Sequence, residues 1–378
     1  MSEFSEVDQR WMKEALRLAA LGQGCVEPNP MVGCVLVQEG VPIGSGYHRR
    51  FGGPHAEVEA LSDASGKCVA GATAYVTLEP CCHFGKTPPC TDSLIAAKVA
   101  RVVAATRDPH AVVAGGGLAR LLKAGTKVEV GLLEAEAQEQ NAPYFKRIQT
   151  GRPWVIAKWA MSLDGKIATR TGHSQWISGE SSRGWVHALR GRVDAVVVGI
   201  GTALADDPLL TARPAGVRQA LRVVVDSRLR LPVHSQLAQT ARTAPLLICA
   251  GPHANSASTA GLEALGCKVW ISPIEDRQQR LSAMLAMLAQ QSSATNILVE
   301  GGSGLLGSLF DLHQIDQCEV FVAPKLIGGM SSPSPLAGLG IDKVTAGPNV
   351  ELVQYQMRDQ DMHLSYRLRW KLEVKWAS

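Results

Sequence analysis

The first 130 residues alternate between short apolar runs and segments whose apolar positions recur every three or four residues. Runs such as MVGCVLVQEG are typical of buried strands, whereas EVDQRWMKEALRLAAL has the spacing of an amphipathic helix. The pattern predicts helices over 6–21, 56–64, 91–99 and 118–125, and strands over 31–40, 72–80, 100–108 and 127–132. This alternating order predicts an α/β domain in which helices cover a sheet.

The pattern changes between residues 134 and 153, where a further helix is followed by NAPYFKRIQTGRP. The polar residues and the Gly-Arg-Pro ending of that stretch predict a domain boundary, with the second domain starting near Arg152. Beyond it, β-branched runs end repeatedly in Gly, Asp or Pro: WVIAKWAMSLDG, VDAVVVGIGTALADD, LRVVVDSRL, APLLICA, CKVWIS, NILVEGG and CEVFVAPKLIGG. Such runs predict central strands of a largely parallel sheet, buried on both faces. The tract GGMSSPSPLAGLG, at 328–340, is expected to form a long surface loop before a final hairpin.

Length and charge narrow the classes of function. A chain of 378 residues is long enough for two domains, each with its own core. Residues 1–150 hold 15 Lys and Arg against 16 Asp and Glu, a net charge of −1, so the remainder carries +5 and the whole chain +4. Neither half has the clustered basic excess of a protein that binds nucleic acid. No apolar run approaches the roughly 18 residues of a membrane span, and the N-terminus lacks the basic stretch and cleavage site of a signal peptide.

The cysteines indicate a cellular compartment. There are nine, an odd number, and Cys34, Cys249 and Cys267 lie in apolar, strand-like segments. Free cysteines of this kind act as small buried hydrophobic residues and suit a reducing environment. We therefore expect a cytoplasmic protein.

Two segments combine metal-binding side chains with a carboxylate. In HAE, His55 and Glu57 stand two residues apart at a predicted start of a helix, and PCCHFGKTPPC, at 80–90, holds three cysteines. Imidazole and thiolate are zinc ligands, and a nearby carboxylate can move protons. Three protein ligands would leave one coordination position for water, as in catalytic zinc sites. A structural zinc site and an unliganded cysteine cluster are the alternatives, but neither gives Glu57 a purpose.

The order H-A-E, then P-C and a further Cys, is the signature of the zinc-dependent cytidine and nucleobase deaminases. The stretch PCCHFGKTPPC resembles more closely the bifunctional deaminase-reductases of riboflavin biosynthesis, whose members read P-C-C-H-x-G-x-T-P-P-C. The resemblance implies an α/β fold whose N-terminal domain is a cytidine-deaminase-like three-layer domain. It implies that His55, Cys81 and Cys90 bind one Zn²⁺, that Glu57 moves the protons, and that Cys82 is only a neighbour.

The same resemblance extends to further stretches of the first half. EPNPMVGCVLV, GYHRRFGGPHAE, the loop after Cys82 and DPHAVVAGGGLARLLKAG imply substrate contacts by Asn29, His48, Lys86 and Asp108. A lysine ammonium such as that of Lys86 can meet a phosphate as a point charge. His110 stands where the family has Asn, so its part in substrate binding is left open.

Glycine-rich strand ends mark the second half. LVEGGSGLLGSL reads as the end of a strand, a glycine turn and the start of a helix, where backbone N–H groups can hold a pyrophosphate. Alone, such a motif is weak and a plain tight turn would explain it. VVGIGTALADD is a second glycine-rich strand end, and both loops would emerge at the carboxyl edge of the sheet, where open α/β folds bind ligands.

The second half resembles the reductase half of the same family, which is dihydrofolate-reductase-like. The matching stretches are KWAMSLDGKIA, SQWISG, HALRGRVDAVVVGIGTALADDPLLTAR, LRVVVDSRLRLP and ILVEGGSGLLGSL. The resemblance implies contacts to NADPH by Ala160, Trp176, Thr202, Asp206, Ser227, Gly301, Gly302, Ser303, Gly304, Leu305, Leu306 and Gly307. It implies substrate contacts by Ser174, Arg190, Leu210, Arg213 and Glu300. The two arginines are forked donors suited to a ribose 5-phosphate, and Asp206 and Lys158 are the candidate catalytic residues of the reduction.

These observations predict a bifunctional enzyme of riboflavin biosynthesis. Residues 1–150 would deaminate 2,5-diamino-6-ribosylamino-4(3H)-pyrimidinone 5′-phosphate with zinc. Residues 151–378 would then reduce the ribosyl group of 5-amino-6-(5-phosphoribosylamino)uracil to ribityl with NADPH. The partners expected are small pyrimidine ribotides, neither nucleic acid nor membrane, and a second copy of the chain in a dimer or tetramer. The alternatives are a nucleic-acid or nucleobase deaminase fused to an unrelated reductase, and a non-catalytic zinc- and nucleotide-binding sensor.

Overall fold

The computed structural model of the protein describes residues 4–84, 88–110 and 113–370. The chain divides into two compact units, Met1–Gly151 and Arg152–Ser378. None of the helices in the described ranges is long and apolar enough to cross a membrane.

Unit 1 is built around a five-stranded sheet. Its elements are α1 (Glu6–Ala20), β1 (Gly33–Gln38), β2 (Val41–Tyr47), α2 (Ala56–Asp63), β3 (Thr73–Val76), α3 (Cys90–Ala96), β4 (Arg101–Ala104), α4 (Gly116–Lys123), β5 (Lys127–Val130), α5 (Glu134–Gln140) and α6 (Ala142–Thr150). The strand order is β2-β1-β3-β4-β5, with β1 antiparallel to both neighbours and β3, β4 and β5 parallel.

Alternate residues of these strands serve two separate cores. Cys34, Leu36 and Val76 face the side covered by α2, α3 and α4. Val35 and Val103 face the side covered by α1 and α5. This period of two along each strand makes the unit a three-layer structure with the sheet in the middle.

Strand β2 was not predicted from the sequence. Its residues, VPIGSGY, include a proline and two glycines, which are poor strand formers. The glycines are needed because the strand lies close to α2: a Cβ at Gly46 would lie 2.5 Å from the backbone nitrogen of Ala60. Packing against the helix therefore outweighs the low strand propensity of this segment.

The helix formed by NAPYFKRIQT was not predicted from the sequence. The segment forms α6, in which Tyr144 and Phe145 are buried against Leu78. The Asn141 side chain, at the N-cap of α6, joins the start of this helix to the segment before β1. Its oxygen accepts from the Met31 amide and its nitrogen donates to the Met31 carbonyl, each at 2.8 Å. The helix is amphipathic, because its aromatic residues are buried while polar residues such as Gln149 and Thr150 are exposed.

A buried charge network ties α1 to the sheet of unit 1. Asp8, in the first turn of α1, accepts hydrogen bonds from the Tyr75 hydroxyl at 2.7 Å and from Arg101 at 2.6 Å. Arg101 also pairs with Glu129 of β5 at 2.5 Å. Although burial opposes it, hydrogen bonding by Arg101 and Tyr75 holds the pKa of Asp8 well below its usual range.

Unit 2 contains a nine-stranded sheet. Its elements are β6 (Trp154–Ser162), α7 (Glu180–Arg190), β7 (Ala195–Gly199), α8 (Ile200–Asp206), β8 (Leu221–Val225), α9 (Gln236–Gln239), β9 (Leu246–Ala250), α10 (Ser256–Ala264), β10 (Lys268–Ile271), α11 (Arg277–Gln291), β11 (Asn296–Glu300), α12 (Ser303–Asp311), β12 (Gln317–Ala323), β13 (Asn349–Arg358) and β14 (Asp361–Arg369). The strand order is β10-β9-β8-β7-β11-β6-β12-β14-β13.

The first seven strands of that order pair in parallel, and the β13–β14 hairpin adds two antiparallel strands at one edge. Val155, Val197 and Val299 belong to the large core that α11 and α12 share with one face of the sheet. The largely parallel sheet expected from the sequence is therefore confirmed.

The tract at 328–340 forms a loop before the final hairpin, as expected, and it packs on α12. The Ala337 amide donates to the Ser303 carbonyl at 3.1 Å. A Cβ at Gly307 would overlap the Ala337 carbonyl, so only glycine permits this close approach. The tract therefore covers the first turns of the helix that follows the glycine motif.

The outer strand of the hairpin is exposed along nearly its whole length. Tyr355 is 71% and Met357 56% exposed, and Val353 and Met362 are also exposed apolar residues nearby. We call these four residues the hairpin patch. Because β13 is the last strand of the sheet, its outer backbone N–H and C=O groups have no strand partner among the described residues.

Candidate active sites

Three predicted zinc ligands converge in unit 1. His55 is the N-cap of α2, Cys90 is the first residue of α3, and Cys81 follows the loop after β3. One ligand atom from each lies within 4.8 Å of the others, with His55 Nδ1 3.2 Å from Cys90 Sγ and 3.5 Å from Cys81 Sγ. One imidazole nitrogen and two sulfurs are a donor set that fits Zn²⁺.

The electrostatics of this cluster favour a thiolate. Hydrogen bonding to Cys90 and His55 lowers the pKa of the Cys81 thiol to about 4, although burial opposes it. The proton that the two thiols share stays on Cys90, whose pKa is raised. Glu57, in the first turn of α2, is only 3% exposed, and burial, with the negative charge of Cys81, raises its pKa to about 6.

A cavity of about 430 Å³ opens onto the cluster and is lined by His55, Glu57 and Cys81. Asn29 and His48 also line it, as predicted. His48 Nδ1 donates to the Pro54 carbonyl at 2.9 Å, so its Nε2 is the acceptor for Asn29 Nδ2 at 3.3 Å. Burial lowers the pKa of His48, which favours this neutral form.

Asp108 lies in the same cavity but is already hydrogen-bonded. It accepts from the Tyr144 hydroxyl at 2.9 Å and from the His110 amide at 2.9 Å, and burial raises its pKa. His110, which replaces the family's Asn, lines the cavity too. Lys86 lies outside the described residues.

The sequence reasoning missed Glu79, which holds the cavity wall together. Its carboxylate is buried and accepts from the backbone amides of Gly115, Gly117 and Leu118 at 3.0, 3.0 and 3.3 Å. The carboxylate thus fixes the start of α4 beside the cysteine loop. The sequence feature that could have identified Glu79 is its position directly before Pro80 and Cys81 of the cysteine motif.

In unit 2 the glycine motif meets the end of β7. The Thr202 hydroxyl, in the first turn of α8, accepts from the Gly302 amide at 2.9 Å. Gly302 is the N-cap of α12. The first backbone N–H groups of a helix have no partner within the helix, so the start of α12 can bind a pyrophosphate. A Cβ at Gly301 would lie 3.2 Å from the Thr202 hydroxyl, so glycine keeps this cradle open.

The remaining residues of the motif differ in what they can offer a cofactor. Ser303 and Gly304 lie in the first turn of α12. The Leu305 and Leu306 side chains are buried in the core of unit 2, so only their backbone is available. Gly307 faces Ala337 of the covering loop.

A buried group of charges lies beside this cradle. Glu300, the last residue of β11, accepts from Arg190 Nε at 2.6 Å and from Arg190 Nη2 at 2.9 Å. Lys158 is paired in register with Glu300 on the neighbouring strand β6. Burial lowers the pKa of Lys158, while the charge of Glu300 opposes the shift.

Arg213 lies next to a histidine that the sequence reasoning left without a role. Arg213 Nη2 donates to His187 Nε2 at 3.2 Å, and His187 Nδ1 donates to the Thr211 carbonyl at 3.1 Å. Arg190 Nη1 also donates to that carbonyl, at 3.3 Å. The signal for His187 was its place in HALRGRV, three residues before Arg190. Leu210, near this corner, is buried with a φ of 56°.

Other predicted residues lie at separate points of unit 2. Trp176 is 62% exposed and its ring stacks under the Arg183 guanidinium at 4.6 Å. Ser227 follows β8, and its hydroxyl accepts from Arg280 at 3.1 Å. Asp206 ends α8, Ala160 lies in β6, and Ser174 lies in the segment between β6 and α7.

Two family models match the chain. The cytidine and deoxycytidylate deaminase zinc-binding region matches residues 5–106. The RibD C-terminal domain matches residues 153–364. The first range contains His55, Cys81 and Cys90, which we call the zinc cluster, and the second contains Gly301 and Gly302 with Thr202, which we call the glycine cradle. The expected pair of fold classes, cytidine-deaminase-like and dihydrofolate-reductase-like, is confirmed.

Full-length relatives agree. The riboflavin biosynthesis protein RibD of Actinobacillus pleuropneumoniae is 39% identical over 359 residues, 95% of each chain. That of Escherichia coli K12 is 39% identical, covering 94% of this chain and 98% of its own. Among solved structures, Acinetobacter baumannii RibD has a TM-score of 0.85 at 36% identity, covering 96% of this chain and 99% of its own. A Thermotoga maritima diaminohydroxyphosphoribosylaminopyrimidine deaminase/5-amino-6-(5-phosphoribosylamino)uracil reductase has a TM-score of 0.81 at 33% identity, with the same coverage.

Proposed function

Since the chain belongs to the family of the riboflavin biosynthesis protein RibD, we propose which of its residues carry the two reactions of that family. The protein is a bifunctional enzyme, a deaminase and a reductase of riboflavin biosynthesis, that uses zinc and NADPH. Relatives that match along its whole length support neither a nucleobase deaminase fused to an unrelated reductase nor a non-catalytic sensor.

We assign the deamination to residues 1–150 and to the pyrimidine ribotide substrate expected from the sequence. Zinc, when bound by His55, Cys81 and Cys90, supplies a Lewis acid that makes water a nucleophile near neutral pH. Glu57 takes one proton of the attacking water and passes it to the ring nitrogen, where it stays; it then moves the second proton, from the resulting hydroxyl, to the leaving amine, so that ammonia departs and a carbonyl remains. The observation that carries this assignment is the convergence of the three ligands beside a buried carboxylate in one cavity.

Asn29 and His48 are proposed to hold the pyrimidine. The hydrogen bond to His48 occupies the Asn29 amide nitrogen, which leaves the Asn29 carbonyl oxygen to accept from an amine or ring N–H of the substrate. Asp108, fixed by Tyr144, offers a further acceptor. Lys86 is proposed as a phosphate contact on the family resemblance alone.

We assign the reduction to residues 151–378. NADPH, when bound, supplies the hydride that reaches C1′ of the ribosylamino group. The amides of Ser303 and Gly304 would hold its pyrophosphate, while the Gly302 amide donates to the Thr202 hydroxyl and so shapes the loop. Lys158 would donate a proton to the ring oxygen of the sugar as the C1′–O bond breaks. Lys158 is half-buried and paired in register with Glu300, which supports this role over the exposed Asp206, and Asp206 is better suited to contact the cofactor or to position the sugar.

The cationic corner of unit 2 is proposed to bind the 5-phosphate. Arg213 is exposed and His187 hydrogen-bonds to it, so the guanidinium can meet the phosphate without losing a carboxylate partner. Arg190 gives two of its donors to Glu300. Its third nitrogen, Nη1, donates to the Thr211 carbonyl at 3.3 Å, so the proposed contact of Arg190 with the substrate would pass through Glu300.

We further propose a homo-oligomer, a dimer or tetramer, located in the cytoplasm. The support for the oligomer is the hairpin patch on the edge strand β13, since contiguous exposed apolar surface commonly marks an interface. The support for the compartment is that all nine cysteines are free, including the two zinc ligands.

Both reactions can be followed in one assay. The purified, zinc-loaded protein is incubated with the 2,5-diamino ribotide and NADPH, and ammonia and absorbance at 340 nm are recorded. We expect ammonia release first, then NADPH oxidation in equal amount. Ammonia from an RNA stem-loop in place of the ribotide, or NADPH oxidation without prior deamination, would contradict the proposal.

A further inference from the structure

The wall of the deaminase cavity formed by α6 lies outside both matched family models. The two models match residues 5–106 and 153–364, whereas α6 spans Ala142–Thr150. Tyr144, Arg147 and Ile148, spaced three and four residues apart, all line the cavity. The part of the chain shared with cytidine deaminases therefore contains the zinc cluster but not this wall.

The wall is held rigidly against the residues that face the pyrimidine. The Asn141 side chain makes two hydrogen bonds to the Met31 backbone, two residues after Asn29. Tyr144 donates to Asp108 on another side of the cavity. The position of α6 relative to the metal ligands is thus fixed by contacts at its first two turns.

Charge distinguishes Arg147 from the other residues of the wall. It is the one guanidinium among the described residues that line the cavity. Within the described ranges its side chain has no hydrogen bond or ion pair. Three carboxylates line the cavity with it: Glu57 lies at the metal ligands, Glu79 accepts from backbone amides, and Asp108 accepts from Tyr144. Arg147 is therefore a cation in the cavity that forms no ion pair with any carboxylate in the described part of the chain.

Its place along the helix suits the outer end of a substrate. Tyr144 is buried, Arg147 and Ile148 are half-buried, and Gln149 and Thr150 are exposed. The exposure of the residues of α6 thus increases towards its C-terminal end. A pyrimidine bound at the zinc cluster would extend its ribose 5-phosphate in that direction, and a forked guanidinium matches a phosphate in geometry and charge.

We propose that Arg147 binds the 5′-phosphate of the deaminase substrate and makes unit 1 selective for a ribotide over the corresponding nucleoside. This inference rests on the proposed deamination by unit 1. The selectivity of the deaminase site for a phosphorylated substrate would then come from α6, which lies outside the matched zinc-binding region.

The test compares ammonia release from the 2,5-diamino ribotide and from its dephosphorylated nucleoside. Arg147→Gln should raise KM for the ribotide roughly 10- to 100-fold, the range for a lost charged hydrogen bond, with kcat nearly unchanged. KM for the nucleoside should not change, because the nucleoside never used the guanidinium. Arg147→Lys should lie between wild type and Arg147→Gln. Lys123→Gln, on exposed α4 surface, removes one charge from the same unit and should behave as wild type.

Several outcomes would overturn the inference. The inference is wrong if Arg147→Gln leaves KM unchanged for both the ribotide and the nucleoside, or if it raises KM equally for both. Loss of phosphate selectivity in Lys86→Gln but not in Arg147→Gln would also overturn it. Zinc content and circular dichroism verify that each variant is folded. If Arg147→Gln is not folded, Arg147→Lys is compared with wild type instead. Absence of ammonia release by wild type would instead contradict the proposed function, and this inference with it.

Discussion

Cys81 and Cys82 are neighbours in the chain but lie in different surroundings. Cys81 Sγ belongs to the zinc cluster, whereas Cys82 Sγ lies against the backbone of Gly116 at the start of α4. We predict that Cys81→Ser and Cys90→Ser each abolish stoichiometric zinc, because two ligands hold the ion too weakly. Cys82→Ala should keep one zinc per chain, as measured by metal analysis of the purified variants. A zinc-free Cys82→Ala protein that is folded would contradict the ligand assignment.

Glu57 and Glu59 lie in the same turn of α2 but in different environments. Glu57 is buried in the cavity, while Glu59 pairs with the exposed Arg49 at 3.2 Å. Glu57→Gln keeps the shape of the side chain but cannot move a proton, so ammonia release should fall by roughly 10² or more. Glu59→Gln is the matched control and should retain activity. Both variants should bind zinc, and rapid ammonia release by Glu57→Gln would remove this residue from the mechanism.

The pH dependence of the reduction should report on Lys158. As a proton donor Lys158 works only when protonated, so kcat should be high at low pH and fall as the pH rises through its pKa. Because burial lowers that pKa, the fall should begin below the ordinary lysine value of about 10.4. Lys158→Arg should move the fall to higher pH, and Lys158→Met should slow reduction strongly at every pH. An unchanged pH profile in Lys158→Arg, measured by NADPH oxidation with the deaminated ribotide, would favour Asp206.

The residues that the sequence could predict are those joined by a short motif. His55 and Glu57 are two residues apart, and Cys81 and Cys90 lie in one loop, so their chemistry is readable in the chain itself. The pairing of Arg190 with Glu300 joins residues 110 positions apart. Such contacts depend on which strands become neighbours, which local pattern does not determine.

At the scale of elements, Asp8 joins α1 to the sheet through a charge that is sensitive to acid. Its lowered pKa stabilises unit 1 above about pH 4, the ordinary carboxyl value, and this contribution is lost as the pH falls towards the folded-state pKa. Asp8→Asn should lower the free energy of unfolding by about 2–4 kcal/mol at pH 7, since Arg101 loses a buried partner.

Urea unfolding of both proteins at pH 7 and near pH 3 measures this effect. The difference between Asp8→Asn and wild type should shrink at the lower pH. Glu14→Gln, which breaks the exposed pair with Arg17, should cost under about 1 kcal/mol at either pH. A difference for Asp8→Asn that does not depend on pH would contradict the assignment to the carboxylate charge.

The elements predicted correctly were those with strong apolar periodicity. The β-branched runs of unit 2 became the strands of a parallel sheet because both of their faces are buried. β2 and α6 were missed because their stability comes from contacts rather than from composition. The glycines of β2 allow close packing on α2, and α6 is fixed by Asn141 and by its buried aromatic residues.

At the scale of the whole molecule, the hairpin patch should decide the oligomeric state. A Tyr355→Lys/Met357→Lys double variant places two charges where the patch would be covered, so it should sediment as a monomer while wild type does not. Val217→Lys, at an exposed apolar residue of unit 2 away from the hairpin, is the control. Sedimentation velocity at several concentrations measures this. A monomeric wild type would contradict the proposed oligomer, and an oligomeric double variant would place its interface elsewhere.

The contact between Gly307 and Ala337 has a consequence for how the enzyme tolerates mutation. Position 307 lies on the helix that begins at the proposed cofactor cradle, yet its need for glycine comes from the backbone of the covering loop. Even alanine would push that loop away from α12. A complete substitution scan should therefore find position 307 as intolerant as a catalytic position, with defective protein appearing as low abundance rather than as folded, inactive enzyme. Intolerance to substitution in this motif thus cannot by itself identify the residues that touch NADPH.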